Sequence, residues 1–297
     1  MSAEDFQIKE FNGAPDIFSN KLDTTWMGFF PDGHDFSCTM PIIPVEHGGE
    51  DDGQVEYSYN KQGFRCDDFS SVHDGKHILF AGCSQSEGVG SPIDTVWTKL
   101  LANNLGATNF YSIARAGYGW QKIISNYTIY AESFGHPEYL FVLLPNVGRL
   151  FEWQEKENQW YYVQRYPNGE LGKGPGERNG QILQEFSISK SDHRRLFIDF
   201  VAAWKMFEKY LESNGVKMIW ASWDYKENNN YMRANFSKNY LHLTPESLQN
   251  YIMKARPNGK LEKHDMLRRD GHDGILIHEW WLESFKAEIS RRGFFND

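Results

Sequence analysis

Three short apolar runs constrain this chain more than anything else in it: Ile78-Leu79-Phe80-Ala81-Gly82, Tyr139-Leu140-Phe141-Val142-Leu143-Leu144-Pro145 and Val216–Trp223. Strands apolar on both faces must be covered on both faces, which is the situation of a parallel sheet wrapped by crossover helices. The segments between the runs supply those helices. Thr95–Leu105 carries Trp97, Leu100, Leu101 and Leu105 on one side, and Trp120–Phe134 follows a further strand at Asn109–Ala114. Ser191–Ser213 lines up Phe197, Phe200, Val201, Trp204, Phe207 and Leu211, with Ser191 as its N-cap and Asn214-Gly215 as its stop. Glu279–Arg292 reads as a closing amphipathic helix. The fold class expected is therefore α/β, with ligands bound at the C-terminal ends of the strands.

Two regions fall outside this pattern. Residues 1–75, rich in Gly, Pro and Asp, read as an N-terminal extension of loops and short strands, one of them Gln54–Asn60 with Val55, Tyr57 and Tyr59 alternating. The α/β domain then occupies 76–297, with an insertion at 151–190. The insertion is charged and aromatic at Glu152–Arg165, turns as a hairpin at Tyr166-Pro167-Asn168-Gly169, and continues as a loop over Gly172–Gly180. Because it leaves the sheet just after Asn146, it reads as a lid or substrate-binding element; a solvated hairpin without a role is the alternative.

Composition removes several function classes. The net charge of −9 opposes a nucleic-acid partner, which needs a basic face. The cysteines, Cys38, Cys66 and Cys83, form no CxxC and are odd in number, so neither a disulfide scaffold nor a Cys-based zinc site is expected. The N-terminus lacks a signal peptide's basic and apolar regions, and no apolar stretch reaches membrane-spanning length. The expectation is a cytoplasmic or otherwise non-secreted protein with no membrane partner and no cofactor.

Chemistry points to Gly82-Cys83-Ser84-Gln85-Ser86-Glu87-Gly88, where a buried strand ends beside a serine. Such a place suits a nucleophile whose oxyanion is held by backbone N–H groups. The segment resembles the first block of the SGNH (GDSL-like) hydrolases, Gly-Asp-Ser-x-[Ser/Thr]-x-Gly, with Cys83 where the family has Asp. Further blocks follow in the family's order. Gly117, in Arg115-Ala116-Gly117-Tyr118-Gly119, matches the second-block glycine. Asn146, in Leu144-Pro145-Asn146-Val147-Gly148-Arg149, stands for the third-block Asn, with Pro145 and Val147 replacing its usual neighbours. Arg269-Asp270-Gly271-His272-Asp273 resembles the final Asp-x-x-His, with Asp270 one residue closer and His278 six residues after His272. Upstream, Asn60-Lys61-Gln62-Gly63-Phe64-Arg65 is similar to an Asn-x-x-Gly-Phe-Arg segment of SGNH-like proteins.

The resemblance implies a three-layer α/β/α, flavodoxin-like fold and a serine esterase acting on a small acyl ester, including an O-acetylated carbohydrate. Ser84 would be the nucleophile and His272 the base, oriented by Asp270, by a backbone carbonyl or, as a weaker substitute, by Asp273. The Ser84 and Gly117 N–H groups and the Asn146 amide would form the oxyanion hole. Trp120, Arg149, Trp153 and Trp160 are candidate substrate contacts. Three rival readings stay open. One is a catalytically silent SGNH-like glycan-binding or structural module. Another is a metal site drawn from His264, Asp265, Asp270, His272, Asp273 and His278. The third is a Cys83 nucleophile.

Overall fold

A computed structural model of the protein describes residues 36–41, 54–154, 159–166, 186–187, 190–223, 237–259 and 272–295. In chain order its elements are β1 (Phe36–Pro41), β2 (Gln54–Tyr59), β3 (Ile78–Gly82), α1 (Ser84–Glu87), α2 (Trp97–Asn104, after a 3-10 turn at Ile93–Thr95), β4 (Tyr111–Ser112), α3 (Trp120–Phe134), β5 (Tyr139–Leu144), β6 (Arg149–Gln154), β7 (Gln159–Tyr166), β8 (Phe186–Ser187), α4 (Lys190–Ser213), β9 (Lys217–Ser222), α5 (Pro245–Ala255) and α6 (Ile275–Arg292).

The apolar runs form one parallel sheet in the order β4-β3-β5-β9. A parallel bridge from Trp220 to Tyr240 adds a short fifth position outside β9, fixed by Trp220 N–H to Asn239 O (3.0 Å) and Leu241 N–H to Trp220 O (2.7 Å). Counted by appearance the order is 2-1-3-4-5, the flavodoxin-like winding, with its switch point between β3 and β5. Strand alternation divides the core into two layers. Leu79, Ala81, Leu140, Val142, Leu144, Met218 and Trp220 pack against α3 and α4, through Ile123, Tyr127, Phe200 and Trp204. Ile78, Phe80, Phe141, Leu143, Ile219 and Ala221 pack against α2, α5 and α6, through Trp97, Leu101, Leu248, Trp281 and Phe285. The aromatic surplus is largely core: Trp97 stacks on Phe285 at 4.7 Å, and Trp204 meets Trp220 edge-on at 5.4 Å.

Several boundaries differ from the sequence expectation. α4 begins at Lys190, so Ser191 lies in its first turn and is not its N-cap. α6 begins at Ile275 rather than Glu279, because Leu276 and Ile277 enter the core from a helical turn that Gly274 opens. The strand expected at Asn109–Ala114 pairs only over Tyr111–Ser112. β6 pairs antiparallel with β7, Gln154 opposite Gln159, a pairing the sequence reading does not include, while the turn expected at Tyr166-Pro167-Asn168-Gly169 lies, after Tyr166, outside the described residues. β8 joins β7 in parallel. No helix among the described residues is long and apolar enough to cross a membrane.

At the N-terminal edge of the sheet the His73 and His77 rings stack at 3.5 Å, and His77 Nε2 meets the Tyr130 hydroxyl at 2.6 Å. Burial, aided by the charge of His73, pushes the His77 imidazole down to about 4.

Candidate active site

Ser84 sits at the opposite edge. β3 ends at Gly82, where an added Cβ would strike Ser86 Oγ and lie 2.8 Å from Leu143 O. Only a glycine lets the chain turn there beside β5. Cys83 caps the one-turn α1, its carbonyl accepting the Ser86 and Glu87 N–H groups at 2.9 Å each, with its side chain fully buried. Ser84 is 7% exposed, and its own carbonyl accepts from Gly88 N–H (2.9 Å) and Val89 N–H (3.0 Å). Thr98 Oγ1 donates to Ser86 O at 3.1 Å and ties the turn to α2.

The segment before the sheet braces this turn. Asn60 Oδ1 accepts the Gln62 and Phe64 N–H groups at 3.0 and 2.9 Å, a side chain standing in for backbone to shape the loop. That loop delivers Arg65, whose Nη1 donates to the carbonyls of Glu87 (3.2 Å), Gly88 (2.8 Å) and Ser91 (3.0 Å), with its guanidinium 4.1 Å above the Tyr57 ring. Tyr57 Oη accepts Gly90 N–H at 2.7 Å.

The neighbouring loops are chained to the first. After β4, Arg115 N–H donates to Gly82 O at 3.3 Å, and Tyr118 N–H to Arg115 O at 3.2 Å closes the turn that holds Gly117. Gly119 lies so close to the Arg149 carbonyl that a Cβ would collide with it, which brings the β4 loop against the start of β6. After β5, Asn146 is buried; its Oδ1 accepts Gly148 N–H at 2.7 Å and its carbonyl accepts Arg149 N–H at 3.0 Å. The Arg149 guanidinium lies 5.2 Å from the Trp223 ring, and Trp223 N–H reaches Leu144 O at 3.2 Å.

His272 is half-buried just before α6. The N–H of its neighbour Asp273 donates to Gln85 Oε1 at 3.4 Å, which joins the residue after His272 to the residue after Ser84. Burial pushes the Asp273 carboxyl up to about 7, against the pull of His272. His278 is buried in the first turn of α6, where Nδ1 accepts Trp97 N–H at 3.5 Å.

The elements bearing Ser84, Gly117, Asn146 and His272 therefore meet at one edge of one sheet. Trp120 is buried in the core, packed edge-on against Phe200 at 5.8 Å. Trp153 and Trp160 lie opposite each other in β6 and β7, but their side chains fall outside the described residues, as does Asp270. His264 and Asp265 of the metal reading are also outside them; among the described residues no three His, Cys, Asp or Glu side chains are grouped to hold a metal ion. Sequence reasoning missed Glu87 and Arg115 altogether. Glu87 is an acidic residue in an otherwise small, glycine-rich turn, and that oddity was its available signal.

No family model and no curated protein matches the chain. Among solved structures it is similar to TesA, at 13% identity over 71% of this chain and 97% of that one, with a TM-score of 0.41. It is also similar to a member of the lipolytic protein G-D-S-L family from Veillonella parvula, at 10% identity over 73% of this chain and 100% of that one, with a TM-score of 0.39.

Proposed function

We propose that the protein is a serine esterase of SGNH (GDSL-like) type. One observation carries this reading: Ser84, Gly117 and Asn146 lie in the segments that follow three adjacent parallel strands, at the same edge of the sheet, and the residue beside His272 is bonded to the residue beside Ser84. In the reaction Ser84 Oγ attacks the ester carbonyl carbon while His272 takes the hydroxyl proton. The oxyanion is received by the Ser84 and Gly117 N–H groups and by Asn146 Nδ2, whose amide is oriented by the Oδ1 contact with Gly148. Collapse expels the alcohol, which leaves with the proton from His272. Water then repeats the sequence, releasing the acid and restoring Ser84. Asp270 is the proposed orienter of His272. Asp273 serves that purpose poorly below neutrality, because burial favours its neutral form. The substrate proposed is a small acyl ester, with an O-acetylated carbohydrate as the first class to test.

A fluorescent fluorophosphonate tests the nucleophile directly. Labelling at Ser84 that is lost in Ser84→Ala and His272→Ala is the expected result. A folded protein that does not label is instead a silent glycan-binding or structural module, as Cys83 in place of the family's Asp would suit.

A further inference from the structure

Glu87 is 2% exposed, and its carboxylate meets several partners. Oε2 accepts the N–H of Ala116, the residue before Gly117, at 2.6 Å. Oε1 accepts the Tyr59 hydroxyl at 3.2 Å and lies 3.6 Å from Arg115 Nη1. Arg115 in turn donates to Gly63 O at 2.5 Å and lies 4.4 Å above the Tyr59 ring. Glu87 also shares its single helical turn with Ser84. One side chain thus spans the Ser84 turn, the Gly117 loop and the end of β2.

A buried ion pair is a poor stabiliser, since desolvation offsets much of the attraction and an apolar filling often serves as well. What an apolar residue cannot do is hold the Ala116 N–H at a fixed distance from α1. We infer that Glu87 is a positioning residue, setting the separation between the Ser84 and Gly117 N–H groups that receive the oxyanion; this rests on the esterase reading above. Small errors in that separation weaken transition-state contacts while leaving the ground-state substrate contacts intact. The signature is therefore a fall in kcat with KM held.

Side-chain length and charge separate this role from simple neutralisation of Arg115. Glu87→Gln keeps the length and an acceptor for Ala116, while Glu87→Asp keeps the charge and withdraws by one methylene. With p-nitrophenyl acetate, kcat of Glu87→Asp should fall about tenfold or more with KM within about threefold, and Glu87→Gln should stay within about threefold of the parent in both. Equal turnover in all three proteins, or a Gln variant slower than the Asp variant, overturns the inference while the esterase reading stands. A parent that neither labels with fluorophosphonate nor turns over overturns both. Should Glu87→Asp not fold, Tyr59→Phe releases the Oε1 side of the carboxylate; a parent-like kcat there overturns the inference, and a drop of about threefold or more at constant KM supports it.

Discussion

The two sides of the candidate site are built differently. On the Ser84 and Gly117 side, buried charges and side-chain caps meet backbone groups at nearly every step: Arg65 on three carbonyls, Glu87 on Ala116, Tyr57 on Gly90. On the far side, Asn146 shapes its own turn through Gly148, and Asp273 reaches Gln85 over 3.4 Å. The first side is held by several bonds from buried charged and phenolic side chains, the second by one local turn and a single long bond to Gln85. The two backbone donors proposed for the oxyanion sit on the braced side and must be aimed before the substrate arrives, whereas an imidazole that takes and returns a proton must shift between partners.

That contrast can be broken at its most exposed point by Asn146. Loss of one oxyanion donor costs about 2.7–4 kcal/mol, so Asn146→Ala should slow kcat by about a hundredfold to a thousandfold. Asn146→Asp sharpens the result: it keeps an acceptor for Gly148 but has no amide donor, and should be as slow as Ala. An Asp variant as fast as the parent would reduce Asn146 to a turn former. On the braced side, Arg65→Met removes a donor from three buried carbonyls, of which Gly88 O keeps the Ser91 N–H, and should cost about 2–4 kcal/mol of stability, read as a lower denaturation midpoint in urea. A midpoint unchanged within error would show that the brace is not rigid. Gln85→Ala removes the bond between the two sides and should lower kcat by less than about tenfold, because a single long hydrogen bond contributes about 1 kcal/mol or less.

A pair of opposed pH slopes marks the two sheet edges. Asp273, pushed up to about 7, binds its proton more tightly folded than unfolded, so its contribution to stability is fully present at low pH and is lost as pH rises from about 4 to 7. His77, pushed down to about 4, stays neutral when folded, so its contribution is present above about 6.5 and is lost as pH falls toward 4. Asp273→Asn should leave stability rising with pH across this window, and His77→Gln should leave it falling. Thermal melts at several pH values read both slopes; parallel curves for the two variants would contradict the assignment.

Much of the fold was legible because its signals are local. β3, β5 and β9 are apolar runs bounded by turn residues, and α3 starts and stops where its pattern does. The β6–β7 pairing is not legible because Glu155-Lys156-Glu157-Asn158 carries no strong turn signal. The α6 start was misread because Ile275-Leu276-Ile277 carries no helical period by itself. Ser84, Gly117, Asn146 and His272 were nameable from short motifs, but their joining through Gln85 and Asp273 spans 188 residues. The Glu87 network was invisible for the same reason: Tyr59 and Ala116 lie 28 and 29 residues away on either side, a distance no periodicity can encode.

The brace around α1 also separates two boundaries usually drawn together. A chain cut to begin at Lys76 would retain every strand of the parallel sheet and the helices that cover it. It would lose Tyr57, Tyr59, Gly63 and Arg65, which brace the Ser84 turn and its neighbour, and Phe64 and Phe69, which belong to the core layer over α3. The boundary of the sheet and the boundary of what holds its Ser84 turn are therefore different positions in this polypeptide, and graft or swap experiments that respect only the sheet would carry over a scaffold whose Ser84 turn has been left loose.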